Sequence, residues 1–135
     1  MVRDAVCEEF GSAPADVARA RRFARTVADQ WGLDVPDLEL VVGELASNAV
    51  LHAGSRYTVR LCRDGAGLVV EVADGNPRQP RVNGGDAPAG ALSGRGLAIV
   101  GRVSACWGVR ADGSGKVVWA TLPVLAEPSA SVNGS

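Results

Sequence analysis

The sequence has few residues of the types that hold metals, disulfides or nucleic acid. It contains three cysteines (Cys7, Cys62 and Cys106) without a CxxC pair, and one histidine. This odd cysteine number argues against a disulfide framework, and the absence of paired ligands argues against a zinc site. The 14 Lys and Arg residues are balanced by 15 Asp and Glu residues, so the chain lacks the basic excess expected of proteins that bind nucleic acid or anionic lipid.

Long hydrophobic stretches are also missing. No apolar run approaches the roughly 18 residues of a membrane-spanning helix, and the N-terminal sequence MVRDAVCEEF has no apolar signal-peptide core. We therefore expect no direct contact with nucleic acid or membranes, and a cytoplasmic location. The length of 135 residues corresponds to one domain, placed at residues 1–126. The polar segment 127–135 has no apolar periodicity and is expected to be a disordered tail.

Hydrophobic periodicity predicts an α+β fold. The predicted helices lie at residues 14–31 and 37–52 and directly after Gly94, and the predicted strands lie at residues 5–10, 57–62, 68–74, 105–110 and 116–122. This order indicates a two-layer sandwich in which the helices cover one face of a mixed, mostly antiparallel sheet. Residues 75–93 are rich in Gly and Pro, and a loop of that length is typical of a lid or binding loop.

Glu44 and Asn48 are four residues apart on the second predicted helix, so their side chains lie on one face. They fall at the edge of the apolar stripe of that helix, where each would be half-buried. The amide oxygen of Asn48 could ligate a hard cation such as Mg²⁺, and the carboxylate of Glu44 could orient or deprotonate a nucleophile. The spacing alone also fits two edge residues of a surface helix that hydrogen-bond to water.

Asp74 ends a predicted central strand and is followed at once by Gly75-Asn76-Pro77. An acidic residue at this place can accept a hydrogen bond from an exocyclic amine such as that of adenine. Asp before Gly is also a common way to begin a turn. Asp74 is therefore a candidate only in combination with other signals.

The stretch Gly94-Arg95-Gly96-Leu97 enters the third predicted helix. Glycines let backbone N–H groups approach an anion, and a helix N-terminus favours phosphate, although a flexible loop before a helix has the same composition. Two other glycine motifs are excluded. Ile99 stands where a dinucleotide fingerprint needs its third Gly, and a P-loop read on Gly115-Lys116 would need Gly at position 110 and Ser or Thr at position 117.

In this order and spacing, Glu44-x-x-x-Asn48-Ala49, a strand ending in Asp74, and Gly94-Arg95-Gly96-Leu97 resemble the Bergerat (GHKL) ATP-binding family. Within that family the sequence is most similar to the small anti-sigma-factor serine/threonine kinases and related stand-alone ATP-binding regulators of actinobacteria. The resemblance covers about residues 10–122. It implies a mixed sheet with helices on one face, and ATP and Mg²⁺ as cofactors.

The resemblance also implies a role for each matching residue. Asn48 would ligate the Mg²⁺ that bridges the nucleotide phosphates, Glu44 would act as general base, and Asp74 would bind the adenine amine. The phosphates and the lid would be contacted by the segment before and into the third helix, which comprises Gly94, Arg95, Gly96 and Leu97. The family usually has glycine two residues after the aspartate, where this chain has Asn76, which tolerates left-handed backbone angles better than most residues.

Two functions from different classes follow from this resemblance. The first is an ATP-dependent kinase that phosphorylates a serine or threonine of an anti-anti-sigma (STAS-type) partner and otherwise sequesters a sigma factor, with a homodimer also possible. The second is a non-catalytic nucleotide-sensing interaction module, which Asn76 and the scarcity of basic residues in the loop (Arg78 and Arg81 alone) favour. A purely structural domain would leave the shared order of the three motifs unexplained.

Overall fold

Five strands and three α-helices make up the part of the chain that the structure, a computed structural model, describes: residues 5–65, 67–76 and 92–125. The strands are β1 (Ala5–Phe10), β2 (Tyr57–Asp64), β3 (Gly67–Asp74), β4 (Cys106–Asp112) and β5 (Gly115–Pro123). The helices are α1 (Pro14–Trp31), α2 (Leu38–Asn48) and α3 (Leu92–Val103), and a π-helical turn (Ala49–Ala53) follows α2. The predicted α+β architecture is confirmed.

The strand order in the sheet is β1-β2-β3-β5-β4, and each of the four pairings between described strands is antiparallel. The expectation of a mixed sheet is therefore wrong in this detail. The connection from β3 through α3 makes β4 run in the same direction as β3, as a helical crossover does. However, β5 folds back as the hairpin partner of β4 and enters between the two, so the two parallel strands never pair.

The core lies between one face of this sheet and the three helices. Along β3, burial alternates with the strand period, and Leu68, Val70 and Val72 point into the core. Helix α2 packs against both α1 and α3, and it is buried on most sides, with Val41, Val42 and Leu45 at most 1% exposed. Full burial of such a side chain stabilises the fold by about 1.5–3 kcal/mol, so α2 is anchored firmly at the centre of the helical layer.

The ends of the helices follow local chemistry. Helix α1 begins at Pro14, where the Asp16 carboxylate accepts a hydrogen bond from the backbone N–H of Ala13 at 3.2 Å. It ends at Gly32, whose φ of 68° is the left-handed cap expected of glycine. No helix among the described residues is both long and apolar enough to cross a membrane.

Candidate functional site

Asn48 is the last residue of α2 and its side chain is buried, with 2% of the residue exposed. The side-chain oxygen Oδ1 has no hydrogen-bond partner among the described residues. A buried acceptor without a partner costs about 1–3 kcal/mol, so a ligand that donates to this oxygen, or a cation that it coordinates, would recover that cost. The sequence predicted a half-buried residue here. The burial is deeper because the sheet and α3 both pack against α2.

Glu44 lies one helical turn before Asn48 on α2 and is partly exposed. In the described part of the chain its carboxylate makes no hydrogen bond or ion pair. A partly exposed carboxylate without a competing partner can accept a proton from, or orient, a hydroxyl that approaches from solvent. The structure thus places Glu44 and Asn48 on successive turns of one helix.

The helix changes geometry directly after Asn48. The sequence predicted one continuous α-helix to about residue 52, but the α-helix ends at Asn48 and residues 49–53 form a π-helical turn. Gly54, with φ of 60°, ends this turn, and its N–H donates to the carbonyl of Ala49 at 3.2 Å. Single π-turns are rare and occur often at functional sites.

Ser55 connects the segment after Asn48 to the segment after Asp74. Its Oγ accepts a hydrogen bond from the backbone N–H of Gly75 at 3.3 Å and donates to the carbonyl of Arg56 at 3.1 Å. Because Ser55 follows the π-turn and Gly75 follows β3, this contact holds together the segments that follow the two predicted motifs.

Asp74, at the end of β3, forms a buried ion pair with Lys116 of β5. The Lys116 Nζ lies 2.9 Å from Oδ2 and 3.1 Å from Oδ1 of Asp74, and the two side chains are 2% and 1% exposed for Lys116 and Asp74, respectively. Lys116 also donates to the carbonyl oxygen of Asn76 at 3.1 Å, and the backbone N–H of Asn76 donates to Asp74 Oδ1 at 2.8 Å. Asp74, Asn76 and Lys116 thus form one hydrogen-bonded cluster.

This cluster continues a row of facing residues across the helix-covered side of the sheet, which comprises Phe10, Tyr57, Asp74, Lys116 and Ala111. The rings of Phe10 and Tyr57 are stacked with centroids 5.7 Å apart. The aromatic pair on β1 and β2 therefore lies next to the ion pair on β3 and β5. Both rings are buried in the core, with Phe10 2% and Tyr57 1% exposed, so the aromatic pair supports the ion pair from within the fold.

The surroundings of Tyr57 in this row shift the pKa of its phenol strongly. Burial raises the pKa of its phenol, the nearby Asp16 carboxylate adds to the shift and Arg19 opposes it, and the resulting pKa is about 12. The hydroxyl has no hydrogen-bond partner among the described residues. Tyr57 therefore stays neutral at physiological pH and contributes shape rather than charge.

The glycine motif lies within a helix rather than before one. Helix α3 begins at Leu92, so Gly94, Arg95 and Gly96 belong to its first turns and Leu97 follows them inside the helix. The expectation that the helix starts directly after Gly94 is therefore wrong by three residues. Of the predicted loop 75–93, the described residues are Gly75, Asn76, Leu92 and Ser93; Arg78 and Arg81 lie outside the described residues.

The residues present fit a magnesium ion that is held mainly by a nucleotide. No group of three or more His, Cys, Asp or Glu side chains in the described ranges could hold a metal on its own. Mg²⁺ usually keeps several waters and uses one or two protein oxygens together with substrate phosphates. The unpartnered Asn48 Oδ1 is such an oxygen.

Residues 10–122 match the sequence profile of the histidine kinase-like ATPase domain. The chain belongs to this family. The matched range contains all three α-helices, the strands β2, β3 and β4, and all of β5 except Pro123, and it includes Glu44, Asn48, Asp74 and Lys116. No curated protein matches the chain.

The fold of this ATPase domain is shared with a solved structure, that of the RsbU and RsbW domains of Rv1364c from Mycobacterium tuberculosis. The superposition has a TM-score of 0.67 at 14% sequence identity, and it covers 90% of this chain and 32% of that chain. The chain thus spans about a third of the length of that protein chain. Together with the family match, the shared fold confirms the predicted resemblance to the GHKL (Bergerat-fold) family.

Lys116 is the residue of this cluster that sequence reasoning missed. It is the one lysine of the chain and stands at the start of an otherwise apolar strand. That isolation was a usable signal, because a lone charge in a buried strand needs a partner. The partner could not be named from the sequence, since Asp74 and Lys116 are 42 residues apart and meet only through the pairing of β3 with β5.

Proposed function

We propose that this histidine kinase-like ATPase domain binds ATP with Mg²⁺ at the end of the sheet where α2 and β3 terminate. The observation that carries the proposal is the buried, unpartnered Oδ1 of Asn48. Asp74 would accept a hydrogen bond from the adenine amine. The first turns of α3, with Gly94, Arg95, Gly96 and Leu97, would face the phosphates, because unpaired N–H groups in the first turn of a helix favour anions.

We further propose that the domain is an anti-sigma-factor-type serine/threonine kinase. The hydroxyl oxygen of the acceptor would attack the γ-phosphorus, the bond to the β,γ-bridging oxygen would break, ADP would leave, and Glu44 would take up the hydroxyl proton. Asn48 would hold Mg²⁺, which when bound neutralises charge on the phosphoryl oxygens. The partly exposed Glu44, one turn from Asn48, supports this assignment because it can reach both solvent and the phosphate end of the site.

The proposed partners are an anti-anti-sigma (STAS-type) protein as phosphoacceptor and a sigma factor as the sequestered protein. A homodimer and a cytoplasmic location belong to the same proposal. Support comes from the family match over residues 10–122 and from the fold shared with the structure that contains an RsbW domain. Because the chain spans about a third of that protein, these partners need direct tests.

Binding of ATP is tested by calorimetry on the native protein and on Asn48→Ala and Asp74→Asn, with and without Mg²⁺. We expect each substitution to weaken binding at least about tenfold, which corresponds to ~1.4 kcal/mol. Matched controls are Gln30→Ala and Asp34→Asn, since both residues are exposed and lie away from the Asp74 end of the sheet. An absence of heat and of thermal stabilisation by millimolar ATP in the native protein would contradict the proposal.

A second candidate is the non-catalytic nucleotide-sensing module. The hydrogen bond from Lys116 to the Asn76 carbonyl favours this non-catalytic function, because it restrains the turn that leads out of β3. Glu44→Ala separates the two functions, with Glu8→Ala on exposed β1 as the control. A kinase loses transfer of labelled phosphate to STAS-domain proteins while it keeps ATP affinity; a sensor transfers no phosphate in the native form.

A further inference from the structure

Part of the acceptor capacity of Asp74 is used by its own protein. An ionised carboxylate offers about four lone-pair positions, two on each oxygen. Both positions on Oδ1 are filled, because Oδ1 accepts from the Asn76 N–H and from Lys116. Oδ2 lies 2.9 Å from the Lys116 Nζ as part of the ion pair and accepts no hydrogen bond from the described residues, so it is the oxygen left for a ligand.

Lys116 directs its hydrogen bonds to two acceptors. Its ammonium group donates to Oδ1 of Asp74 and to the carbonyl of Asn76, both at 3.1 Å. Lys116 therefore fills the carboxylate oxygen that would otherwise be the second acceptor for a ligand.

This arrangement distinguishes the two purines. Adenine presents a single exocyclic amine as a donor beside a ring nitrogen that accepts. Guanine presents two parallel donors on its Watson–Crick edge, the ring N–H and the exocyclic amine, which match a carboxylate with both oxygens available. An Asp74 whose Oδ1 is filled by Lys116 and the Asn76 N–H offers one oxygen, which can serve the first base and cannot pair in the bidentate way with the second.

We propose that Lys116 is a positioning residue that makes the nucleotide site select adenine over guanine, by occupying the carboxylate of Asp74. The inference rests on the proposed ATP site and adds the residue that determines its base specificity. Without Lys116, both carboxylate oxygens of Asp74 would be available to guanine. A buried carboxylate without its cation would also draw in water or a proton, and either change relaxes the requirement for a single donor.

The test compares the Kd values of ATP and GTP, measured by calorimetry with Mg²⁺, for the native protein, Lys116→Met and Lys116→Arg. The control is Arg110→Met, which removes an equal charge from the exposed Arg110 on neighbouring β4. We expect the native protein to prefer ATP by about 100-fold, the scale on which well-placed hydrogen bonds to a base edge discriminate against the wrong base. In Lys116→Met this ratio should fall at least tenfold, mainly through tighter GTP binding. Lys116→Arg and Arg110→Met should keep the native ratio.

The ratio separates specificity from stability, because a merely structural role of Lys116 would weaken ATP and GTP alike. If Lys116→Met does not fold, Lys116→Gln is measured instead; its amide can fill one oxygen of Asp74, so an intermediate ratio is expected. If the variant that folds keeps the native preference for ATP, the proposed role of Lys116 is overturned while the ATP site stands. A native protein that binds neither nucleotide would overturn the ATP site and this inference together, and a native ratio near one would overturn the inference while the nucleotide site stands.

Discussion

Lys116 lies opposite Asp74 in the sheet and forms a buried ion pair with it. Removing two charges from water is expensive, and a buried ion pair is favourable only when its geometry is good and its other donors and acceptors are satisfied. Lys116 meets this condition, since it donates to Asp74 Oδ1 and to the Asn76 carbonyl and lies 2.9 Å from Asp74 Oδ2. We interpret the pair as a source of specificity rather than of net stability, consistent with the weak average contribution of buried pairs.

Tyr57 provides a direct test of burial in the same row. It is the one tyrosine in the chain, so the near-ultraviolet absorbance of tyrosinate reports on this residue alone. We expect half-titration at pH about 12 in the folded protein, against the ordinary value of 10.0. A midpoint near the ordinary value, as expected for the same sample in denaturant, would contradict the buried position of the phenol.

The same shift predicts how stability depends on alkaline pH. Because the folded-state pKa lies above the unfolded value, the contribution of Tyr57 is fully present below pH 10.0 and is lost as the pH rises toward about 12. The loss is on the order of 2 kcal/mol. Urea unfolding at pH values across this window should show a smaller decline for Tyr57→Phe than for the native protein. Equal declines in the two proteins would exclude Tyr57 as the source.

At the scale of elements, the structure departs from the helical preference of the sequence at the end of α2. The sequence from residue 37 to 52 has the composition of one helix, and that prediction was correct up to Asn48. The π-turn that follows widens the backbone, and Gly54 then redirects the chain so that Ser55 reaches Gly75. Sequence periodicity does not report a one-residue change in helical pitch, so this feature could not be predicted.

The start of β5 depends on a glycine. A Cβ at Gly115 would overlap the carbonyl oxygen of Asp74 and lie 3.1 Å from the Cα of Gly75. We expect Gly115→Ala to lower the free energy of unfolding by about 2 kcal/mol or more, since overpacking against backbone cannot be relieved by a side-chain rotation. Chemical denaturation measures this loss. Ser114→Ala, at an exposed position of the same turn, is the control and should change stability little; similar stabilities of the two variants would contradict the close approach.

At the scale of the whole molecule, the C-terminal end of the described chain ties back to the helical layer. The backbone N–H of Leu125 donates to the carbonyl of Asp34 at 2.9 Å, and Val124 packs against the core. We expect deletion of residues 127–135 to leave the melting temperature unchanged. Deletion of residues 124–135 should lower the free energy of unfolding by about 1–2 kcal/mol. Destabilisation by the shorter deletion would place the domain boundary beyond residue 126.

The helices, the central strand and the general architecture could be predicted because they depend on neighbours in sequence. The apolar positions of α1 and the alternation along β3 are local patterns, and the structure reproduces both. The strand pairing of β5 between β3 and β4 could not be predicted, because several arrangements satisfy the same local patterns. The roles of Glu44, Asn48 and Asp74 stay predictions until nucleotide binding is measured.

The sequence by itself determined which side chains are available: the asparagine on the second helix, the aspartate that ends the central strand β3 and a single lysine. Only the tertiary structure decided what these side chains do to each other. Packing of α3 and the sheet around α2 buried Asn48 without a partner, and the pairing of β3 with β5 brought Lys116 onto Asp74. The reason is physical: periodicity is a short-range property of the chain, whereas burial and register are set by contacts between residues far apart in sequence.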